Sequence, residues 1–503
     1  MRYLVLLGLM AAVPAAAQSA QVGASNTITQ QDVIRRINIV ADDSMMGRDT
    51  PSPGLEKTAA YVAGEFRRLG LKPGGDSGTF LQHYPLALRQ IDVATSSLIF
   101  QGTNTDIPVS FTRDAFVLLG DPPAEALTGD LVILGGKIDP EQIPAEEMKD
   151  RIVVWPVDFT KPLPANASGI LSKVFSSGGK VLVVISNRDS TAFNSELINR
   201  QGKSVSRVGG DNSGPLVIEV RERAITDVVP EAAQDFERMR NAETIVVQPM
   251  PEWSGTLAIN QHNLDATSAP NAIGILEGSD PRLRNEYVVY SAHMDHIGVT
   301  PGKADSINNG ADDDGSGTVG VLELAEAFSA RGARPRRSVI FMTVSGEEKG
   351  LWGSEYFADH PTVPVGNIVA DLNIDMIGRN WKDTIVAIGM EHSDLGTTLE
   401  RVAGLHRDLR MTPIHDIWPE EGLYFRSDHY NFAKKGVPIL FFTSGLHPDY
   451  HEVSDSPDKI DGEKEARLLR LLFFLGQDIA NTTARPQWNP ESYKQIVESA
   501  ATP

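Results

Sequence analysis

Cysteine is absent from this chain of 503 residues. That excludes a thiol nucleophile, a thiolate zinc site and disulfide staples, so any metal must be held by nitrogen and oxygen and the fold must rest on its core. Long apolar runs are scarce as well. The opening text, MRYLVLLGLMAAVPAAAQSA, holds one, with an early arginine and an Ala-x-Ala end. It reads as a secretory signal peptide cut after Ala17. The run is short for a spanning helix, and no later stretch is long and apolar enough to cross a bilayer. The mature chain is therefore expected to be exported, periplasmic or secreted, without a membrane span. Positive charge is in deficit, with 46 Lys and Arg against 66 Asp and Glu and a formal net charge of −20. This balance argues against nucleic acid or an anionic membrane as a partner; it suits the solubility of an exported protein and carries no information about substrate.

What is present begins with length, which exceeds one ordinary core and predicts two or three domains. After the signal peptide (1–17), residues 18–115 open on a polar stretch and then turn helical. Leu55, Ala59, Val62, Phe66 and Leu69 recur at helical spacing between Pro53 and Gly70. Residues 116–255 alternate short β runs with Pro and Gly loops, and they read as a domain inserted between two halves of another. From 256 to 485 strand and helix alternate, which predicts an α/β fold with a mixed, mainly parallel sheet flanked by helices. Residues 486–503 read as a loose tail.

Five side chains with metal-binding chemistry punctuate that last region: His293 in SAHMDH, Asp313 in NGADDDGSG, Glu348 in SGEEKG, Asp375 in NIDMIG and His451 in HPDYHEVSD. Four of these segments follow short apolar runs that read as buried strands. In open α/β sheets ligands bind beyond the carboxyl ends of the strands, so the five are expected to meet on one sheet edge. Two imidazoles and three carboxylates can hold a pair of divalent ions with one carboxylate bridging, and Glu347 beside Glu348 is free to move protons. Taken singly, each has a plain structural reading as a helix cap, a solvated loop or a surface histidine. Together they describe a two-metal hydrolase, since charge placed repeatedly at strand ends brings no structural gain.

These residues resemble the family of co-catalytic zinc aminopeptidases that also includes glutamate carboxypeptidase-type enzymes. The resemblance starts at MMGRDTPSPGLEKTAAYVAGEFRRLGLKP and resumes through AHMDH, GADDDGSG, SGEEKGLWGSEYF, LNIDMIGR, FRSDHYNFAKKGVP and HPDYHEVSDSPDKID. The inserted region is similar, more weakly, to the protease-associated domain of exported members. The resemblance implies a zinc-peptidase type of sheet and two Zn²⁺ ions, with Co²⁺ or Mn²⁺ able to occupy the same ligands. It places His293 and Asp375 on one ion, Glu348 and His451 on the other, and Asp313 between them, with a cis peptide at Asp313–Asp314. It makes Glu347 the general base and Tyr450 the oxyanion donor. Asp295 would orient the His293 imidazole, and Arg426 would stand near the substrate's amino end. Asp312 reads as turn chemistry, His296 is expected to pack or hydrogen-bond without ligating, and His447, which opens HPDYHEVSD, is given no role. Trp381 can line a pocket or a core.

The function implied is an exported aminopeptidase acting on peptides. A carboxypeptidase or dipeptidase on the same scaffold remains open, though the fragments near the site are poor in Arg and Lys. A glutaminyl cyclase needs one ion, against a full bridging set here, and a non-catalytic binding protein would be expected to have lost ligands.

Overall fold

The computed structural model describes residues 15–164, 166–208, 215–300 and 305–500. Its contacts divide the chain into two compact units, Met1–Tyr84 with Ser268–Pro503, and Pro85–Thr267. The expected signal peptide lies largely outside the described residues. Among those described, no helix is long and apolar enough to cross a membrane.

The first unit is built on a sheet of β1 (Gln261–Leu276, its carboxyl half), β2 (Tyr287–His293), β3 (Ser338–Val344), β4 (Ile368–Ile374), β5 (Thr384–Ile388), β6 (Thr412–Ile414) and β7 (Ile439–Thr443). They lie in the order β6-β5-β7-β4-β2-β3-β1. The pairs β2–β3, β2–β4, β4–β7 and β5–β6 are parallel; β1–β3 and β5–β7 are antiparallel. The central strands are buried along their whole length, as SVIFMTV and IVADLNI show. A parallel strand covered on both faces reads as such a continuous apolar run.

Helices supply both covers. They are α1 (Ala15–Ser25), α2 (Gln30–Val40), α3 (Pro53–Arg68), α4 (Gly315–Ser329), α5 (Trp352–Asp359), α6 (Leu395–Leu405), α7 (His429–Lys434) and α8 (Gly462–Asn481). Val33 and Ile37 of α2, Val319 and Phe328 of α4, and Leu468 and Leu472 of α8 join one core with Tyr290 and Leu372. Phe357 of α5 and Phe432 of α7 join another with Val289 and Ile340. Fully burying each such side chain contributes roughly 1.5–3 kcal/mol, which a chain without disulfides requires. The start of α3 follows its sequence signals: Ser52 accepts a hydrogen bond from the Leu55 amide, and Pro53 fills the first turn.

The second unit holds an eight-stranded sheet. Its parallel centre comprises Leu127–Gly135, Ile152–Val157, Val181–Ser186 and Val217–Arg221, and it has cores of its own. This unit begins at 85 and not at 116, because the ribbon Ser97–Gly102 with Asp106–Ser110 pairs onto its strand Val246–Ala258. Its end lies at 267 instead of 255. Two further expectations are corrected. Helical pattern was expected only after the polar stretch 18–28, yet α1 covers most of that stretch. The tail is not loose either: the Trp488 indole donates to the Gly436 carbonyl at 2.9 Å, and Ile496 and Val497 are buried against the core around Phe432.

Candidate metal centre

Each candidate ligand stands where a buried strand of the first unit ends or a turn leaves it. His293 is the last residue of β2, Glu347 and Glu348 follow β3, Asp375 follows β4, and His451 lies in the loop after β7. Asp313 sits in the turn before α4, where Asp314 caps the helix through the Gly317 amide. Asp314 also accepts from the amides of His293 and Met376, tying together three segments that bear candidate ligands. The Asp313–Asp314 peptide is cis, as the resemblance implies.

The five candidates converge. His293 Nε2 lies 3.4 Å from Asp313 Oδ1 and 3.6 Å from Asp375 Oδ1. On the other side His451 Nε2 lies 3.2 Å from Asp313 Oδ2 and 3.1 Å from Glu348 Oε2. Asp313 thus turns one oxygen to each group, the arrangement of a bridging carboxylate. Donors about 2.0–2.2 Å from a tetrahedral ion stand roughly 3.4 Å apart, so both sets have the spacing an ion requires. The charge balance fits as well. Burial works against protonation of His451, yet its contacts with Asp313 and Glu348 push its pKa up to about 10. At His293 burial is likewise outweighed by Asp314, Asp375, Glu347 and Asp313. Such a surplus of buried carboxylate calls for cations, and nitrogen and oxygen donors suit Zn²⁺.

Glu347 lines the adjoining cavity of about 230 Å³ together with Tyr450 and Arg426. Burial first, then Asp428, Glu348 and Asp375, push its carboxyl well above the usual range despite His293. The Tyr450 ring stacks on His451 at 3.8 Å; burial and nearby carboxylates raise its pKa, so the hydroxyl keeps its proton. Arg426 Nη1 is 3.5 Å from Glu421 Oε2 at the exposed end of the cavity. Trp418, Leu423 and Phe441 supply apolar wall, and Trp381 stacks on Trp418 at 6.0 Å.

Asp295 reaches His293 differently from the expected carboxylate contact. The His293 Nδ1 lies 3.2 Å from the Asp295 backbone carbonyl, while the carboxylate oxygen is 3.7 Å away. A proton on Nδ1 donating to that carbonyl leaves Nε2 free to ligate. The carboxylate instead accepts from the Thr50 hydroxyl and the Glu347 amide, so it holds the Glu347 backbone.

His296, expected to pack or hydrogen-bond, has a defined partner, whereas His447, Asp455 and Arg48 escaped the sequence reading. His296 hydrogen-bonds through Nδ1 to Glu348 Oε1 at 2.9 Å and lies 3.6 Å from Asp313 Oδ2, inside the donor cluster. Glu348 presents its other oxygen to His451, so His296 acts by orienting that carboxylate. His447 accepts the Asp449 amide on Nδ1, which puts its proton on Nε2, 3.2 Å from Asp312 Oδ2. Asp455 accepts from the amides of Asp312 and Asp313. Arg48 is fully buried and donates to the carbonyls of Val40, Met294, Asn309 and Gly310, placing a cation under the acidic cluster. The segment MMGRDT was the only signal for Arg48, and it gave no role.

Residues 271–475 match the description of peptidase family M28. The chain carries a peptidase family M28 domain. The leupeptin-inactivating enzyme 1 of Streptomyces exfoliatus is 31% identical over 193 residues, 38% of this chain and 39% of that protein. A probable leucine aminopeptidase of Arthroderma otae is 27% identical over 219 residues, 42% of this chain and 58% of its own. The matched stretch thus spans between 39% and 58% of those two relatives. The fold is similar to that of an aminopeptidase from Aneurinibacillus sp. strain AM-1, with a TM-score of 0.55 and 16% identity over 93% of this chain and 98% of that one. It is also similar to a zinc aminopeptidase of Bacillus subtilis, with a TM-score of 0.51 and 18% identity over 94% and 98%. In this chain the M28 domain contains all five candidate ligands, Glu347, Tyr450 and Arg426.

Proposed function

We propose that the protein is an exported two-zinc aminopeptidase that removes single residues from peptide amino termini. The observation that carries this reading is the single carboxylate Asp313, which turns one oxygen to each of two nitrogen–oxygen donor sets beside a cavity lined by Glu347. His293, Asp375 and Asp313 would hold one ion, and His451, Glu348 and Asp313 the other. Bound there, the pair supplies Lewis acidity that polarises a carbonyl and acidifies a water.

The chain's own groups do the rest. Glu347 accepts the proton of the attacking water and returns it to the leaving amine, a task suited to a carboxyl whose burial raises its proton affinity. The Tyr450 hydroxyl, kept protonated, donates to the oxyanion as it develops. Apolar wall from Trp418, Leu423 and Phe441 would take the first side chain, and the acidic surroundings favour a substrate ammonium. The unit 85–267 is proposed as the protease-associated domain, and the opening text as the export signal.

Arg426 favours a second reading, a carboxypeptidase, because its guanidinium lines the cavity and could hold a substrate carboxylate. Hydrolysis of aminoacyl-4-nitroanilides, each paired with its amino-blocked twin, with and without chelator, separates the two. Chelator-sensitive cleavage of the free-amine substrates alone supports the aminopeptidase. Inactivity on both, with cleavage of amino-blocked peptides that end in a free carboxylate, supports the alternative.

A further inference from the structure

A line of buried polar side chains runs behind Asp375. Asp371 and Asn373 lie on the same face of β4, and Ser291 stands opposite Asn373 in the parallel ladder of β2. Ser427 lies just before α7. All four are buried. Ser291 Oγ is 2.8 Å from Asp371 Oδ1 and 2.9 Å from Asn373 Oδ1. Asn373 Nδ2 is 3.1 Å from Ser427 Oγ, which is 3.0 Å from Asp375 Oδ2.

The hydrogens do not add up if every carboxylate is charged. Ser291 has one hydroxyl hydrogen and faces two acceptor oxygens. Turning the Asn373 amide over satisfies Ser291, but it presents the single hydrogen of Ser427 to both the amide carbonyl and Asp375. One of those two acceptors would then lack a hydrogen, and Asp375, which must be an anion to ligate, could not carry the proton that supplies it. The amide orientation above is therefore the consistent one, and the missing hydrogen belongs at the far end.

We infer that Asp371 is a neutral carboxylic acid heading a one-way hydrogen-bond chain, Asp371 to Ser291 to Asn373 to Ser427 to Asp375, which holds one oxygen of that ligand and leaves the other for the ion. Asp371 Oδ1–H donates to Ser291 Oγ, Ser291 to Asn373 Oδ1, the amide to Ser427 Oγ, and Ser427 to Asp375 Oδ2. The oxygen left over, Oδ1, is the one that faces His293 at 3.6 Å. Burial pushes Asp371 up to about 8, and Asp428 adds to that against the opposing effect of Ser291. The other oxygen of Asp371 is buried without a hydrogen-bond partner among the described residues, a placement a neutral acid tolerates better than an anion does. The four residues are positioning residues, and the inference rests on the reading of Asp375 as a ligand.

Infrared difference spectroscopy of the full chain tests the proton. Wild type at neutral pH should show the carbonyl stretch of a protonated carboxyl that D371N lacks; identical spectra would overturn the assignment. Zinc titration in a metal buffer tests the positioning. D371N keeps a donor facing Ser291 and should retain the affinity, whereas S427A should weaken one of two ions on the order of 10–100-fold. Equal loss in D371N and S427A would make Asp371 an anionic acceptor, and unaltered affinity in S427A would end the positioning role. Should D371N fail to fold, the carbonyl band of wild type carrying carbonyl-labelled aspartate, compared with S291A, reports the same proton through its shift. A wild type that binds no divalent ion would defeat the ligand reading, and the positioning role with it, while leaving the infrared result to stand alone.

Discussion

Glu347 and Asp313 occupy the same few ångströms and are expected to fail in different ways. Glu347 lines the cavity outside both donor sets. Glu347→Ala should keep both ions in a metal assay yet lower turnover by roughly 10²–10⁴; loss of metal would move it into the ligand set. Asp313 belongs to both sets, so Asp313→Ala should empty both positions, and two retained ions would refute the bridge. Asp371 yields a pH dependence. Its folded pKa, about 8, lies above the ordinary 3.8, so the native state binds the extra proton between those values. The stability it contributes is full below about 3.8, shrinks as pH rises, and is gone once pH passes about 8. Measured as the difference between wild type and D371N in denaturant melts, that term should decline by about 1.4 kcal/mol per pH unit inside the window. A flat difference would mean a charged Asp371.

Among the elements, the loop 447–455 depends on contacts from outside itself. His451 has φ of 58°, a left-handed conformation unfavourable for a side-chain-bearing residue. Asp449, two residues earlier, accepts from Arg379 at 2.8 Å, Lys459 at 2.5 Å and Ser454 at 2.7 Å. The Lys459 contact leads the interactions that hold its carboxyl well below the usual range. Asp449→Ala should therefore weaken the ion at the His451 side by about 10–100-fold and spare the His293 side. Dialysis against buffered zinc would show one tight ion where wild type holds two; equal loss of both would refute this selectivity. The convergence of the candidate ligands at strand ends was legible in the sequence because an apolar run followed at once by acid or histidine has few other uses. The clasp was not, for Arg379 and Asp449 meet only after the segment from β5 to β7, with α6 and α7, has folded between them. The partner of His296 and the role of His447 escaped for the same reason: their contacts with Glu348 and Asp312 are made through space by segments far apart in the chain.

At the scale of the whole molecule, alternation of strand and helix predicted an α/β region from 256 onward, which begins at 268, and short β runs predicted the second unit. The boundary at 85 was not readable, since one strand, Leu81–Ile91, runs straight through it. Each unit has its own buried cores, the condition for separate cooperative unfolding. The candidate ligands all lie in the first unit, so metal binding is linked to that unit's unfolding alone. Zinc at 100 times its dissociation constant stabilises a fold by about 2.7 kcal/mol per site. Chelation also leaves Asp313, Glu348 and Asp375 crowded around two imidazoles without their counter-ions. Calorimetry of the full chain should show two transitions, and a chelator should lower one and leave the other in place. In the variant Asp313→Ala the sensitive transition should already sit at the chelated position and should not move further. If both transitions fell together, or if a single one shifted as a whole, the two units would unfold as one and their cores would not be independent.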